Sequence, residues 1–101
     1  MIDIAWIKTK VIENDYVFSK HADDERQNDN LTIREIEEAI TNGIVIENYD
    51  DTGRGESCLL AGFSQKGKPI HAVCGTFEAN LVIITVYIPT PPKFKNVFER
   101  G

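Results

Sequence analysis

Hydrophobic residues recur with a helical period in two stretches of the first half of the chain. The spacing predicts helices over residues 3–13 and 33–42, with a short extended segment over residues 16–18. A third, polar helix is predicted over residues 20–28. This prediction depends on Ser19, whose side chain can cap the helix, and on aspartates in the first turn, where the helix dipole favours negative charge.

The helix over residues 33–42 has the most complete set of local signals. Thr32 and Glu35 have the spacing of a capping box, in which each side chain accepts a hydrogen bond from the backbone N–H of the other. Leu31 and Ile36 have the spacing of a hydrophobic staple. We expect Gly43 to adopt a left-handed conformation just past the helix end.

After residue 43 the hydrophobic residues alternate, which is the pattern of strands. Four strands are predicted, at residues 44–49, 57–64, 69–75 and 81–88. The short connections predict an antiparallel meander, and the prolines from residue 89 onward end it because proline cannot donate to a ladder. We therefore predict a single α+β domain over residues 1–101, with an antiparallel sheet of about four strands and two or three N-terminal helices packed on one face.

The pleat of the strands places one histidine relative to its neighbours. In the third predicted strand, Ile70, Ala72 and Cys74 share one face and His71 lies on the other. In the fourth, the aliphatic set expected to face the helices is Val82, Ile84, Val86 and Ile88. A turn of odd length places His71 opposite Tyr87, and a turn of even length places it opposite Val86. We favour the pairing with Tyr87, because it collects polar side chains on one surface.

Composition restricts the class of protein. At 101 residues and 42% hydrophobic content, the chain forms one domain with a core of its own. Cys58 and Cys74 lie in apolar segments without disulfide or metal-ligand spacing, which predicts reduced, buried thiols. No secretory signal or membrane-spanning run is evident, so we expect a cytoplasmic protein.

The charges are unevenly distributed. The net charge of −5 argues against a nucleic-acid-binding protein. Residues 13–56 contain 13 acidic and 4 basic residues, whereas the remainder contains 3 acidic and 7 basic residues. A basic surface is predicted if the strand ends and the tail converge, formed by Lys66, Lys68, Lys93, Lys95 and Arg100.

Two histidines are the main candidates for chemistry. Imidazole exchanges protons near neutral pH, and arginine stabilises phosphate charge. His21 and His71, with Arg26 and Arg54, form a set that suits acid–base chemistry on a phosphodiester. Local structural roles are open for each of them, such as a capped helix, a satisfied core histidine or a surface ion pair.

The chain resembles the bacterial family of domains of unknown function 4258 (DUF4258). The resemblance depends on FSKHADDER at residues 18–26, LTIREIEEAITNG at 31–43, RGESC at 54–58, KPIHAV at 68–73 and IITVYIP at 83–89. The family is distantly similar to the RelE and MqsR toxins. This implies a RelE-like or barnase-like fold, a metal-independent ribonuclease without cofactor, and the toxin role in a bacterial toxin–antitoxin pair. It also implies an RNA substrate and a cognate antitoxin, for which a zinc-finger protein of the MqsA type is the candidate.

This interpretation assigns roles to six residues. His21 and His71 act as general base and general acid, in an order that the sequence leaves open. Arg54, between two glycines, binds the phosphate; Arg26 and Tyr87 are further candidates, and Glu25 serves as a base or orients His21. Two other classes remain open: a non-catalytic module whose acidic face over residues 13–56 binds a basic partner, and a metal-dependent hydrolase.

Overall fold

The fold is known from a computed structural model, which describes residues 2–50, 55–91 and 94–100, the last range without the side chains of residues 94, 95 and 100. In chain order the elements are α1 (Ile4–Ile12), β1 (Tyr16–Phe18), α2 (Lys20–Asn28), α3 (Ile33–Asn42), β2 (Ile44–Tyr49), β3 (Ser57–Phe63), β4 (Pro69–Phe77), β5 (Asn80–Tyr87), β6 (Phe94–Asn96) and β7 (Glu99–Arg100). The α+β class is confirmed, as are the three N-terminal helices.

The helices begin where their capping residues predict. Asp3 and Ser19 accept hydrogen bonds from the backbone N–H groups of the first turns of α1 and α2. Thr32 and Glu35 form the predicted capping box at 3.0 and 2.9 Å. The prediction for Gly43 is wrong, because its φ of −89° and ψ of 177° are extended. A glycine is needed there for space: a Cβ would lie 2.5 Å from the carbonyl oxygen of Ala39.

The main sheet has five strands in the order β1-β5-β4-β3-β2. The predicted meander from β2 to β5 is confirmed. The prediction of about four antiparallel strands is corrected, because β1 joins the edge of β5 in parallel and makes the sheet mixed. Only three residues of β1 pair, with partners 65 positions later in the chain, and no local sequence signal reports such a contact.

A bulge in β5 sets which residues face each other. Glu78 and Ala79, both at positive φ, form a two-residue turn between Phe77 and Asn80, which is a turn of even length. Such a turn alone would place His71 opposite Val86. The register shifts by one residue at Ile84, so His71 pairs with Tyr87. The predicted pair is therefore confirmed, but the bulge produces it rather than the turn.

The three helices pack on one face of the sheet. Ile70, Ala72 and Cys74 of β4 face them as predicted, and Ile7, Val11, Ile36 and Ile40 are among the helical residues in the same buried cluster. In β5, the residues of that cluster are Leu81, Ile83 and Val86. The predicted set of Val82, Ile84, Val86 and Ile88 is thus wrong for Val82 and Ile84, because the bulge exchanges faces within the strand.

The opposite face of the sheet, called here the second face, is partly covered by the small β6–β7 sheet. Val97, in the turn between β6 and β7, is only 8% exposed. The rings of Phe98 and Phe63 meet edge to face at 5.8 Å between centroids. The main sheet ends near Pro89 as predicted, but this later hairpin was not expected.

No helix in the described ranges of the chain has the length and apolarity to cross a membrane.

Candidate functional site

The edge of β5 beyond β1 is covered by α2. β1 pairs with β5 only as far as Ile83. From there, the backbone N–H of Ser19 donates to the carbonyl of Ile83 at 2.9 Å, and its hydroxyl donates to the carbonyl of Ile84 at 2.7 Å. The chain thus stays attached to β5 as it enters α2, and it binds the bulge directly.

Two carboxylates, one in α2 and one just past its C-terminal end, take the place of a neighbouring strand. Glu25 accepts hydrogen bonds from the Thr85 hydroxyl and from the backbone N–H of Val86, the latter at 3.1 Å. Asp29 accepts from the backbone N–H of Ile88 at 3.2 Å. An uncovered strand edge promotes unwanted pairing with other chains, and these bonds satisfy its N–H groups. The acidic residues of α2 are therefore not only a solvated surface.

His21 is an exposed imidazole held by that same carboxylate. Its Nε2 atom lies 3.3 Å from Oε2 of Glu25, one helical turn away, and its side chain is 70% exposed. A carboxylate at this position orients the ring. Because Thr85 and Val86 both bind this carboxylate, Glu25 links the imidazole to the sheet.

His71 lies in a different environment. It is fully buried, with Nδ1 3.2 Å from the hydroxyl oxygen of Tyr87 and Nε2 2.5 Å from the carbonyl oxygen of Val97. A carbonyl only accepts, so Nε2 carries a hydrogen and donates to Val97. In the neutral ring, Nδ1 then accepts the hydrogen of the Tyr87 hydroxyl.

Cross-strand pairing connects the surroundings of His21 with those of His71. Thr85 pairs with Val73 and Tyr87 with His71, so Thr85 and Tyr87 lie two residues apart on the second face. We call the five side chains of His21, Glu25, Thr85, Tyr87 and His71 the β5 edge cluster. The two histidines lie at its opposite ends, one in solvent and one beneath the β6–β7 hairpin.

The arginine candidates are placed differently. Nε of Arg26 lies 2.8 Å from Oδ1 of Asp23, and its Nη1 atom donates to the carbonyl of Leu31 at 3.4 Å. Arg26 thus stabilises the C-terminal end of α2. Arg54 lies outside the described residues.

Part of the predicted basic surface is visible. Lys66 and Lys68 lie in the β3–β4 turn, where Nζ of Lys68 binds Glu35 at 2.9 Å and the carbonyl of Asn30 at 3.2 Å. Lys93 lies outside the described residues, as do the side chains of Lys95 and Arg100. Within the described ranges, Lys68 is thus compensated by a carboxylate.

The cysteines are paired across β3 and β4 but are poor nucleophiles. Cys58 and Cys74 are opposite one another and fully buried. Burial raises the pKa of the Cys58 thiol to about 11, and burial together with the neighbouring Cys58 raises that of Cys74 further. Among the described residues, no group of three or more His, Cys, Asp or Glu side chains is placed to hold a metal ion.

Sequence reasoning missed the bonds by which Ser19, Glu25 and Asp29 cover the edge of β5. The cap at Ser19 was predicted, but its second bond, to the bulge, was not. Carboxylates spaced one turn apart, as Glu25 and Asp29 are, suit a helix that follows a strand edge, yet this spacing is also common on solvated helices.

A family model covers most of this fold. Residues 18–88 match the model of the domain of unknown function DUF4258. The chain belongs to the DUF4258 family. No curated protein and no solved structure matches it. The DUF4258 match includes the whole β5 edge cluster and ends before the β6–β7 hairpin that covers His71.

Proposed function

We propose that this DUF4258 domain is a metal-independent endoribonuclease acting as the toxin of a type II toxin–antitoxin pair. One observation carries the proposal: the exposed His21 imidazole is held by Glu25, whose carboxylate is itself fixed by Thr85 and Val86. An imidazole oriented by a fixed carboxylate is suited to take a proton from a hydroxyl group.

In the proposed reaction, His21 removes the proton from a ribose 2′-hydroxyl. The resulting oxygen attacks the adjacent phosphorus, and the bond from phosphorus to the 5′-oxygen breaks. The products are a 2′,3′-cyclic phosphate and a free 5′-hydroxyl. Glu25, in contact with Nε2 of the ring, keeps the imidazole in place as it takes the proton.

The leaving oxygen requires a proton from a second group. His71 is buried and hydrogen-bonded at both nitrogens, so we assign this proton to the half-buried Tyr87, whose hydroxyl turns from Nδ1 of His71 to the leaving oxygen during the reaction. Tyr87 regains its proton from solvent. Arg54 is the proposed phosphate ligand, and Arg26 keeps its structural contact with Asp23.

The biological setting of the proposal comes from the family resemblance. A cognate antitoxin would neutralise the chain in the cytoplasm, and a zinc-finger protein of the MqsA type suits that role. Relation to the RelE and MqsR ribonucleases is the reason to test RNA as the substrate before other phosphodiesters.

The test uses the purified chain and a single-stranded RNA oligonucleotide of mixed sequence, with EDTA present. We expect cleavage by the wild type, and a decrease of about 10²–10⁴-fold for His21→Ala. Lys20→Ala, an exposed neighbour in α2, serves as the matched control and should cleave normally. An RNA with a 2′-deoxy nucleotide at the scissile position should resist cleavage. Intact RNA with folded wild type, or full activity in His21→Ala, would refute the proposal.

A second candidate is the non-catalytic binding module. It is favoured by the ion pairs of α2, in which both basic side chains are bound by carboxylates. Lys20 binds Asp24 at 3.0 Å, and Arg26 binds Asp23. Residues 20–29 contain four acidic and two basic residues, so this segment has excess negative charge, which repels phosphate and attracts a basic protein. Asp24→Lys should strongly weaken the binding of such a partner, whereas His21→Ala should leave this binding unchanged.

A further inference from the structure

A group of exposed apolar side chains lies on the second face, beside the β4–β5 turn. Val17 of β1, Phe77 of β4 and Ile84 of β5 are 54%, 64% and 39% exposed. Val17 pairs with Val82, and Val82 pairs with Gly75, so these three residues share one face of the sheet. Phe77 lies on that face because it is two residues beyond Gly75, and a Cβ at Gly75 would lie 2.6 Å from Cδ1 of Ile84. The group is therefore continuous, and we call its four apolar side chains the second-face patch: Val17, Phe77, Val82 and Ile84.

The dimensions of the patch suit a helix. The patch spans β1, β5 and β4, which are neighbours in the sheet, and it extends along β4 from Gly75 to Phe77. Neighbouring strands lie about 4.8 Å apart and residues advance about 3.3 Å along a strand, so the diagonal from Val17 to Phe77 is about 12 Å. In an α-helix, positions i and i+7 are about 10.5 Å apart along the axis. The apolar stripe of an amphipathic helix therefore covers the patch in about two turns.

The rim of the patch is acidic. β1, β3 and β5 begin at this end of the sheet, and β2 and β4 end there. The connections that lead into them or join them, residues 13–15, 50–56 and 78–79, contain six acidic residues and one basic residue. Lys10 pairs with Asp15 at 2.8 Å, and an excess of negative charge remains after this pair is counted. A continuous apolar group with a polar rim marks an interaction site, whereas single exposed apolar side chains do not.

The charge of the rim decides between the candidate occupants. A second copy of the chain would bring an equally acidic rim against the first, and RNA would bring its phosphates, so both are repelled. A protein segment with lysine or arginine beside its apolar stripe instead places opposite charges against the acidic connections. The apolar patch and its rim together therefore favour a basic protein segment.

We propose that the second-face patch is an interface for a basic amphipathic helix of a partner protein. The apolar residues of that helix cover Val17, Phe77 and Ile84, and its lysine or arginine residues face the acidic connections. The interface lies beside the β5 edge cluster, because Ile84 precedes Thr85, but it uses none of the five side chains of that cluster. The interface therefore depends neither on the ribonuclease proposal nor on the acidic residues of α2.

Phage display with the full chain as the immobilised target tests the interface. The library presents random peptides of about 16 residues, enough for about four helical turns. We expect enrichment of peptides that combine net positive charge with apolar residues at the i, i+3 or i+4 and i+7 spacing of an amphipathic helix. A selected peptide is then synthesised, and its dissociation constant is measured with the wild type and with variants.

The variants separate the apolar contact from the charge. Phe77→Ser should weaken binding of the selected peptide by at least about 10-fold, and Val17→Ser is a second variant with the same expected direction. Ile33→Ser is the matched control: Ile33 is 41% exposed but lies in α3, on the other side of the sheet, so binding should not change. Glu78→Lys, beside Phe77, should weaken binding several-fold, and added salt should also weaken it.

Four outcomes would overturn the interface. The first is a selection that enriches no peptides, or peptides without net positive charge. The second is equal binding by the wild type and by folded Phe77→Ser and Val17→Ser. The third is a wild-type dimer that Phe77→Ser dissociates, which would assign the patch to a second copy. The fourth is a 2′-O-methyl RNA oligonucleotide that binds the wild type but not Phe77→Ser, which would assign the patch to RNA.

Discussion

The hydroxyl of Thr85 donates a hydrogen bond to the carboxylate of Glu25, which lies sixty residues earlier in the chain. This contact joins α2 to β5 immediately after the bulge at Ile84. The same carboxylate accepts the N–H of Val86 and holds His21. One side chain thus contributes both to the stability of the sheet edge and to the geometry of the candidate site.

Replacing Glu25 with Ala should lower the free energy of unfolding by about 1–3 kcal/mol, because it leaves the N–H of Val86 and the hydroxyl of Thr85 without their acceptor. Glu25→Gln keeps an acceptor oxygen and should lose less. Urea unfolding measures both. Asp24→Ala is the matched control: this carboxylate is 56% exposed and pairs with the exposed Lys20, so its loss should change stability by less than about 1 kcal/mol. Equal losses for Glu25→Ala and Asp24→Ala would contradict the edge-covering role.

Tyr16 should make stability depend on alkaline pH. Burial, followed by its 2.5 Å hydrogen bond to Glu37 and the charge of that carboxylate, raises the pKa of Tyr16 well above its ordinary value. Tyrosine ionises near pH 10 in the unfolded chain. The contribution of Tyr16 to the free energy of unfolding is therefore complete below about pH 10 and is lost as the pH rises through the higher pKa of the folded state.

Tyr16→Phe should lower stability by about 1–2 kcal/mol at neutral pH and flatten the decline above pH 10. Unfolding measured from pH 8 to pH 11 tests both effects. Tyr49→Phe is the control, because Tyr49 also donates to a glutamate, Glu47, but is 37% exposed. A steeper alkaline decline in Tyr16→Phe than in the wild type would contradict the assignment.

Gly62 should not tolerate alanine. A Cβ at this position would collide with the carbonyl of Ala39 in α3 and would lie 3.1 Å from the Cα of Gly43. Because backbone atoms cannot move aside as a flexible side chain does, we expect Gly62→Ala to destabilise the fold by about 1–3 kcal/mol or more. Gly67→Ala, at a φ of +87° but with open space around it, should cost about 1 kcal/mol. Thermal unfolding measures the loss of stability in both variants. A larger loss for Gly67→Ala than for Gly62→Ala would contradict the close packing of α3 on β3.

Both cysteines should react slowly with thiol reagents in the folded protein. The raised pKa of Cys58, about 11, leaves little thiolate at pH 8, and both sulfurs are shielded from solvent. We expect Ellman's reagent to react in native buffer at least about 100-fold more slowly than in 8 M urea. A fast-reacting thiol in native buffer would contradict this placement and would return cysteine to the list of candidate nucleophiles.

The sequence predicted the cross-strand pairing of His71, but it did not predict the contacts that link α2 to β5. His71 was correctly placed opposite Tyr87, although the expected turn length was wrong and the bulge at Ile84 corrected the register. The bond from Glu25 to His21 follows from their spacing within one helix. The cover over His71 could not be foreseen, because it comes from a hairpin 26 residues further along the chain.

Local sequence signals specify the bounds of α2, the capping box of α3 and the order of the meander. These features depend on contacts within four residues or across short connections, so a few neighbouring residues specify them. Tertiary structure alone decided the parallel pairing of β1 with β5, the bond between Glu25 and Thr85 and the burial of His71. Each of these depends on packing between distant segments, and alternating hydrophobic residues do not specify which distant edge they meet or in which register.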